Sequence, residues 1–482
     1  MITVFQTYTG IDKYKCNFKT CGKYTFVKKY IPITNEKKYL TKTDFIVSGN
    51  PFSGSSMQDI LNKCETKYIL LIPGTESIIL SQESVSRFLH IAEYSSSGII
   101  YSDYLVNDKE GNISTNSLID YQAGSLREDF DFGKMIMINS EAAKSVINKN
   151  NYLYAGWYDL RLRISENFRI LRIPEFLYTV NNIYENDFNE QHFAYVNPKN
   201  REAQIEYEKC ITSFLKRQKA LVKKNKTSID LGNNDFPVEA SVIIPVKNRV
   251  KTIQDAIDSV LKQKTDFNFN LIIVDNHSSD GTSEKISQIA ENNKQIVHII
   301  PEEKYLNIGG CWNKAIYSEF CGKFAIQLDS DDLYIDENTL QKIVAKFYEL
   351  NCAMVIGSYK LTDFELKEIP PGIIDHKEWT DDNGANNALR ISGLGAPRAF
   401  YTPVIREIGF PDVSYGEDYS VALQICRDYK IGRIYEPIYI CRRWEGNTDA
   451  GLGQEKINKN NYYKDWIRTV EFNVRKKEKN DI

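Results

Sequence analysis

Asp329-Ser330-Asp331-Asp332 follows directly on the apolar run Phe324-Ala325-Ile326-Gln327-Leu328. In an extended chain, residues i and i+2 project to one side, so Asp329 and Asp331 can face a single ligand. Two carboxylates at a strand end suit a hard divalent cation that also takes phosphate oxygens. The same side chains could instead accept backbone hydrogen bonds in a strand-to-turn junction. A calcium loop is excluded, because Leu333, Tyr334 and Leu340 occupy positions where such a loop needs a ligand or a glycine.

Three further stretches could carry chemistry. Asp275-Asn276-His277-Ser278-Ser279-Asp280-Gly281-Thr282 follows the apolar Leu271-Ile272-Ile273-Val274. Such a loop could bond a base or ribose beyond the strand's carboxyl end, or simply cap the next helix. His277 reads as a loop hydrogen-bonder. Tyr415-Gly416-Glu417-Asp418-Tyr419 precedes a periodic helix through Val421, Leu423 and Ile425. One of its carboxylates could take a proton from a hydroxyl, or both could merely favour the helix dipole. Arg442-Arg443-Trp444-Glu445-Gly446-Asn447-Thr448 could clamp a diphosphate or form a solvated basic edge. The chain has no Gly-x-x-x-x-Gly-Lys loop, and no Gly-x-Gly-x-x-Gly follows a strand. A phosphate-loop NTPase and a dinucleotide dehydrogenase are therefore disfavoured.

The elements that must position these residues alternate strand and helix. Ala240-Ser241-Val242-Ile243-Ile244-Pro245 reads as a buried parallel strand. A helix follows with Ile253, Ala256, Ile257, Val260 and Leu261 on one face. Further strands are expected at 271–274, 297–300 and 324–328, and helices at 283–291 and 313–318. This βαβαβ pattern predicts an α/β domain with a mostly parallel sheet and ligands beyond the strands' carboxyl ends.

The first half repeats part of this plan. Lys67 to Glu76 aligns with Lys323 to Asp332, and Phe168 to Glu175 with Tyr429 to Glu436. Counting back from the second match sets Trp157 opposite Asp418, with Asp159 two residues away. Length alone suggests more than one domain. The lysine-rich stretch from about Pro198 to Pro237 begins as a helix with Ile205, Ile211, Phe214 and Leu215 in step, and reads as a linker. The expected fold is thus α/β throughout: domain 1–197, a helical linker 198–237 and domain 238–482.

A formal charge of −3 gives no basic field for nucleic acid. No apolar stretch approaches the ~20 residues that span a bilayer, and Met1-Ile2-Thr3-Val4-Phe5-Gln6 does not read as a signal peptide. The expectation is a cytoplasmic protein, with loose attachment to the inner face of the membrane left open. Nine scattered cysteines read as reduced thiols, and Cys16 and Cys21 lack the partners a zinc site would need.

In their order along the chain these segments resemble the family-2 glycosyltransferases with the GT-A fold. Ser241 to Arg249 resembles the family's opening strand and loop, Ile272 to Thr282 its aspartate loop, and Asn307-Ile308-Gly309-Gly310-Cys311-Trp312-Asn313 its helix start. Asp329-Ser330-Asp331 resembles its DxD motif, and Gly416-Glu417-Asp418 its acidic pair. The resemblance covers roughly 238 to 450. It implies a metal-dependent, inverting transfer of sugar from a nucleoside-diphosphate donor, a UDP-sugar above all, to a glycan, glycolipid or other hydroxyl acceptor. Asp418 would be the general base, with Glu417 as second choice. Asp331 and Asp329 would hold Mn²⁺ or Mg²⁺. Pro245, Asn248, Asp275, Asn276, Gly309, Asn313, Asp329, Ser330, Arg442 and Arg443 would line the nucleotide-sugar site.

Asn276 stands where the family often has a second aspartate, and Trp312 replaces a common basic residue. No C-terminal histidine is evident as a third metal ligand; Arg442, Arg443 and His376 are the substitutes. The first half resembles a degenerate copy with Pro73-Gly74-Thr75-Glu76 in place of the acidic cluster and no clear opening Ile-Ile-Pro-x-x-Asn strand. A structural or acceptor-positioning role is expected for it. Glu368 to Arg398 is expected to shape the acceptor pocket. Two alternatives stand beside this reading: a two-site glycan polymerase, and a nucleotide- or glycan-binding pseudoenzyme.

Overall fold

A computed structural model of the chain describes residues 1–8, 24–34, 45–181, 200–222, 227–232, 235–447 and 452–477. They fall into two units, the first drawn from Met1–Asp187, Asn200–Leu221 and Gly453–Ile482, the second from Val222–Leu452.

In the first unit, β1 (Ile2–Thr7), β2 (Val27–Thr34), β3 (Ile46–Val47), β4 (Tyr68–Ile72), β5 (Ser77–Leu80), β6 (Ile99–Asn107), β7 (Ile113–Asn116), β8 (Ile136–Asn139) and β9 (Ile170–Asn181) make one sheet. Its order is β3-β2-β1-β4-β8-β6-β9-β5, with β7 beside β6. In the second, the strands are β10 (Ala240–Val246), β11 (Phe269–Asp275), β12 (Ile296–Ile299), β13 (Phe324–Gln327), β14 (Leu333–Tyr334), β15 (Met354–Thr362), β16 (Glu368–Ile374), β17 (Arg398–Tyr401) and β18 (Ile431–Arg442). Their order is β12-β11-β10-β13-β17-β15-β18-β14, with β16 beside β15. Strand for strand the two orders coincide, so the repeat read from two short matches extends over the whole sheet.

The expected parallel arrangement accounts for β12, β11, β10 and β13. Beyond β13 the sheet turns mixed: β17 runs antiparallel to both its neighbours, and β18 is parallel to β15. The parallel strands are buried on both faces, which their unbroken Val/Ile/Leu runs require. The first unit does have an opening strand. It is β1, which pairs with β2 and β4 and lacks the Ile-Ile-Pro-x-x-Asn pattern.

The helix expected at 313–318 runs instead over Ile308–Ile316. Its early glycines are tolerated because Asp412 Oδ1 accepts from the N–H groups of Asn307 (2.7 Å) and Gly310 (3.0 Å), satisfying first-turn donors. Described cysteines are free thiols, while Cys16 and Cys21 lie outside the described residues.

Two domain expectations need correction. The helix Arg201–Arg217 is part of the first unit, burying Cys210, Ile211, Phe214 and Leu215. The C-terminal helix Gln454–Lys477 also belongs to the first unit, although the sequence places it after the second. Phe472 stacks on Phe214 with ring centroids 5.6 Å apart. Gly124 packs so closely on this helix that a Cβ would sit 2.1 Å from Thr469 N. Asp465 is fully buried and accepts from Ser125 Oγ (2.8 Å) and Arg468 Nη1 (2.8 Å), with Arg127 Nε at 3.5 Å. Removing that carboxylate would take the counter-charge from the buried Arg468 and leave Arg127 to Asp129 alone, 2.9 Å away. Asp465→Ala is expected to destabilise the first unit by about 3–5 kcal/mol. Urea denaturation followed by circular dichroism checks this; an unchanged midpoint would show that the buried cations need no partner.

Candidate active site

β13 is apolar and buried up to Gln327, and the chain leaves the sheet at Asp329. Asp329 N–H donates to the Tyr439 hydroxyl (3.0 Å), and Oδ1 accepts from Gln327 Nε2 (2.9 Å). Asp331 Oδ2 accepts from Trp444 Nε1 (3.2 Å) and Asn447 Nδ2 (3.1 Å), and Arg249 Nε lies 3.9 Å away. Asp332 turns inward to accept the Arg442 N–H at 2.8 Å. Burial pushes the Asp329 carboxyl above its ordinary range; Arg398 and Gln327 oppose this while Asp331 and Asp418 add to it. Burial, with Asp331 and Asp329 nearby, raises Asp332 further. Ser330 is buried between these carboxylates in sequence.

Glu417 and Asp418 open the helix Glu417–Asp428 after Gly416, which takes a left-handed φ of 83°. Arg398, first residue of β17, joins this helix to the acidic turn. Its Nε lies 3.1 Å from Asp418 Oδ2, its Nη1 donates to Gly395 O (2.7 Å), and its N–H donates to Gln327 Oε1 (3.1 Å). Burial works against the guanidinium charge, but Asp418, Asp329 and Glu417 together hold it protonated. Burial first, and then the Asp418 charge, push Glu417 up to about 8.

The aspartate loop is organised around Asp275, which is fully buried. Its Oδ1 accepts Ser278 N–H (2.9 Å), while Oδ2 accepts from Ser283 Oγ and lies 3.5 Å from His298 Nε2. Burial opposes this charge, yet the His298, Ser283 and Ser278 hydrogen bonds outweigh it and hold the carboxyl well below its usual range. Asn248, at φ 53°, donates its N–H to Ser278 Oγ (2.9 Å) and accepts Ser279 N–H (2.8 Å), tying the opening loop to this one. Pro245 is half-buried on β10 opposite Val274. His277 lies 3.1 Å from Glu303 O through Nε2, in keeping with a loop hydrogen-bonder.

Several residues are placed differently from expectation. Arg442 is buried; its Nε donates to Asp331 O, Nη1 meets Asp255 Oδ2 at 2.8 Å, and the guanidinium lies 5.1 Å from the Phe364 ring centre. It shapes the turn from behind and presents no clamp for a diphosphate. Arg443 is half-buried and gives its N–H to Thr362 O (2.7 Å). Asn313 spends its amide on Phe410, donating to its carbonyl (2.8 Å) and accepting its N–H (2.9 Å). Gly309 lies so close to Pro411 that a Cβ would sit 1.8 Å from its carbonyl oxygen. Both serve the helix seat. His376, one substitute for the third metal ligand, is buried with Nδ1 2.7 Å from Glu378 Oε1. Among the described residues no group of three or more His, Cys, Asp or Glu is gathered to hold a metal. Thr448 lies outside the described residues.

Arg398, Gln327, Arg249, Trp444 and Asn447 are the site residues sequence reasoning did not single out. Each lay inside a stretch already marked, Arg249 at the end of the opening loop, Gln327 in the strand before the acidic turn, Arg398 at the end of the expected acceptor segment, and Trp444 and Asn447 in the basic stretch after β18, but none had a role of its own. Residues 241–399 match the family model described as Glycosyl transferase family 2. The second unit carries a family-2 glycosyltransferase domain. The chain is 28% identical over 227 residues to the UDP-Glc:alpha-D-GlcNAc-diphosphoundecaprenol beta-1,3-glucosyltransferase WfgD of Escherichia coli, covering 46% of this chain and 80% of that one. It is 32% identical over 276 residues to an uncharacterized glycosyltransferase of Rickettsia felis, covering 55% of this chain but less than half, 44%, of the relative. Among solved structures, residues 1–349 of S. aureus TarS in complex with UDP-GlcNAc align with a TM-score of 0.40 and 22% identity, over 48% of this chain and 66% of that one.

Glu417 of the glycosyltransferase domain supplies a pH test. Its folded value, about 8, lies above the ordinary 4.5. The cost of charging it is therefore absent below about pH 4.5, grows as pH rises, and levels off above about 8. Glu417→Gln should match the wild type at acid pH and gain stability over it by up to about 4 kcal/mol between pH 5 and 8.5. Thermal melts across that range decide; a difference independent of pH refutes the raised value.

Proposed function

We propose that the second unit transfers a sugar from a nucleoside-diphosphate donor to a hydroxyl of a glycan or lipid-linked acceptor, by a single displacement that inverts the anomeric carbon. The observation that supports this most is Arg398, which joins the acidic turn after β13 to the carboxylates of the helix Glu417–Asp428. Arg398 thereby links the metal-binding end to the proton acceptor. UDP-sugar is the first donor to test, since the E. coli relative is named for UDP-Glc and a diphosphoundecaprenol-linked acceptor.

The chain's residues fit a divalent cation. Asp329 Oδ2 and Asp331 Oδ1 have no protein donor among the described residues, and the mutual repulsion around Asp329 is what a cation relieves. Such an ion, Mn²⁺ or Mg²⁺, would neutralise charge on the departing diphosphate. Asp331 and Asp329 would hold it, and Arg249 is the side chain placed to meet phosphate in Arg442's stead. Asp418 acts as the base. Its side chain is 27% exposed, its orientation is fixed by Arg398, and it can accept the acceptor's hydroxyl proton. Glu417, buried and held in its protonated form near neutrality, is the poorer base. The first unit, with Pro73-Gly74-Thr75 in place of the acidic turn, has a structural or acceptor-positioning role.

Release of nucleoside diphosphate from a donor panel, with and without Mn²⁺, tests the reading. Asp331→Ala is expected to lose metal-dependent turnover while keeping its melting temperature. Asp418→Asn should lower kcat by about 10²–10⁴ with donor affinity unchanged. Wild-type turnover in both variants would remove these residues from the mechanism, and donor binding indifferent to Mn²⁺ without transfer would favour a pseudoenzyme.

A further inference from the structure

The helix Gln454–Lys477 turns Asp465, Ile467, Arg468, Glu471, Phe472 and Arg475 inward. Its opposite face carries large apolar side chains at helical spacing: Tyr462 is 45% exposed, Trp466 50% and Val470 44%. Trp466 stacks on Tyr463 with ring centroids 5.8 Å apart, which gives the stripe a flat aromatic centre. An exposed lysine continues the same stripe at each end, Lys459 before it and Lys477 after it, with Glu455 one turn beyond Lys459.

On this face lysine outnumbers acid, Lys459 and Lys477 against Glu455. Arg468 pairs with Asp465 at 2.8 Å and Arg475 with Glu471 at 2.6 Å, both on the buried side. What the helix offers outward is lysine, with Glu455 as the acidic exception at its first turn. Rings of Trp and Tyr, apolar in body with a polar tip, settle at the headgroup level of a bilayer, and lysines beside them are drawn to anionic lipid. Among the described residues no helix is long and apolar enough to cross a membrane, so such a contact lies on its surface.

We propose that the stripe of Tyr462, Trp466 and Val470, flanked by Lys459 and Lys477, docks the chain on an anionic lipid bilayer. The contact is separate from the transfer reaction and is measured without donor or acceptor. Full-length protein is sedimented with vesicles of phosphatidylcholine alone or mixed with phosphatidylglycerol, at low and high salt. Binding to the mixed vesicles should exceed binding to the neutral ones by at least about tenfold and fall with salt. A Tyr462→Ser/Trp466→Ser/Val470→Ser variant and a Lys459→Glu/Lys477→Glu variant should each lose about tenfold in vesicle binding. Their melting temperatures and nucleoside-diphosphate release should stay at wild-type values. Three results overturn the proposal: no binding to anionic vesicles, binding unaffected by both variants, or a dimer that the serine variant dissociates while vesicle binding is unchanged.

Discussion

Carboxylates gathered where a buried strand ends repel one another and lose solvation, and that cost governs the second unit. Asp329 and Glu417 are both pushed toward their neutral forms by burial. The chain answers with cations placed behind and between them. Arg398 lies against Asp418 and reaches Asp329 through Gln327, whose amide bonds Arg398 N–H on one side and Asp329 Oδ1 on the other. Arg442 fixes the turn from the opposite side through Asp331 O, with Asp255 balancing its charge. In this unit the mixed half of the sheet carries the two arginines, as β17 begins at Arg398 and β18 ends at Arg442.

The first unit shows what happens when that demand is removed. The pairing of β13 with β17 and of β4 with β8 sets Arg398 in register with Ile136. The helices Gly156–Asn167 and Glu417–Asp428 have equal length, which sets Gly156 and Trp157 at the places of Glu417 and Asp418. Asp159, the nearby carboxylate, is taken by Arg163 at 2.9 Å. Asp329, Asp331, Asp418 and the compensating Arg398 have no counterparts, and Glu76, aligned with Asp332, lies 3.4 Å from Lys134 Nζ; apolar side chains fill other places, with Ile136 buried and Trp157 meeting Phe132 edge-on at 5.7 Å. An arginine left without its carboxylates would have been a buried unpaired charge, so the set changes as a set. Tyr178 keeps the register of Tyr439 and still accepts a backbone N–H, now from Lys134.

The sequence made the strands and the acidic turn legible because both are local. A run such as Val242-Ile243-Ile244 needs no partner to be read as a buried strand, and Asp329-Ser330-Asp331 announces itself by spacing. Arg398 did not, since its meaning lies in Asp418 and Gln327, which only the sheet brings to it. Arg442 misled for the same reason: beside Arg443 and Trp444 it looked like a surface clamp, while its charge partner Asp255 is 187 residues away. The C-terminal helix was read with the unit it follows because connectivity was the sole guide. Its attachment rests on Ser125 and Gly124, which no periodicity reveals.

Asn276 shows how a departure from a family pattern can be structural in origin. Its Nδ2 donates to Leu306 O at 2.6 Å, binding the loop after β11 to the loop after β12. A carboxylate there would face that carbonyl oxygen and repel it. Asp275 has already committed both oxygens to Ser278, Ser283 and His298, so the loop's acidic group is an internal anchor. The edge of the loop at the carboxyl ends of β10 and β11 is shaped by the groups this anchor orients, the exposed Asn248 among them, with Asn276 held from behind by Leu306. Trading a second carboxylate for an amide thus fixes the shape of the loop and spares the site one more buried negative charge.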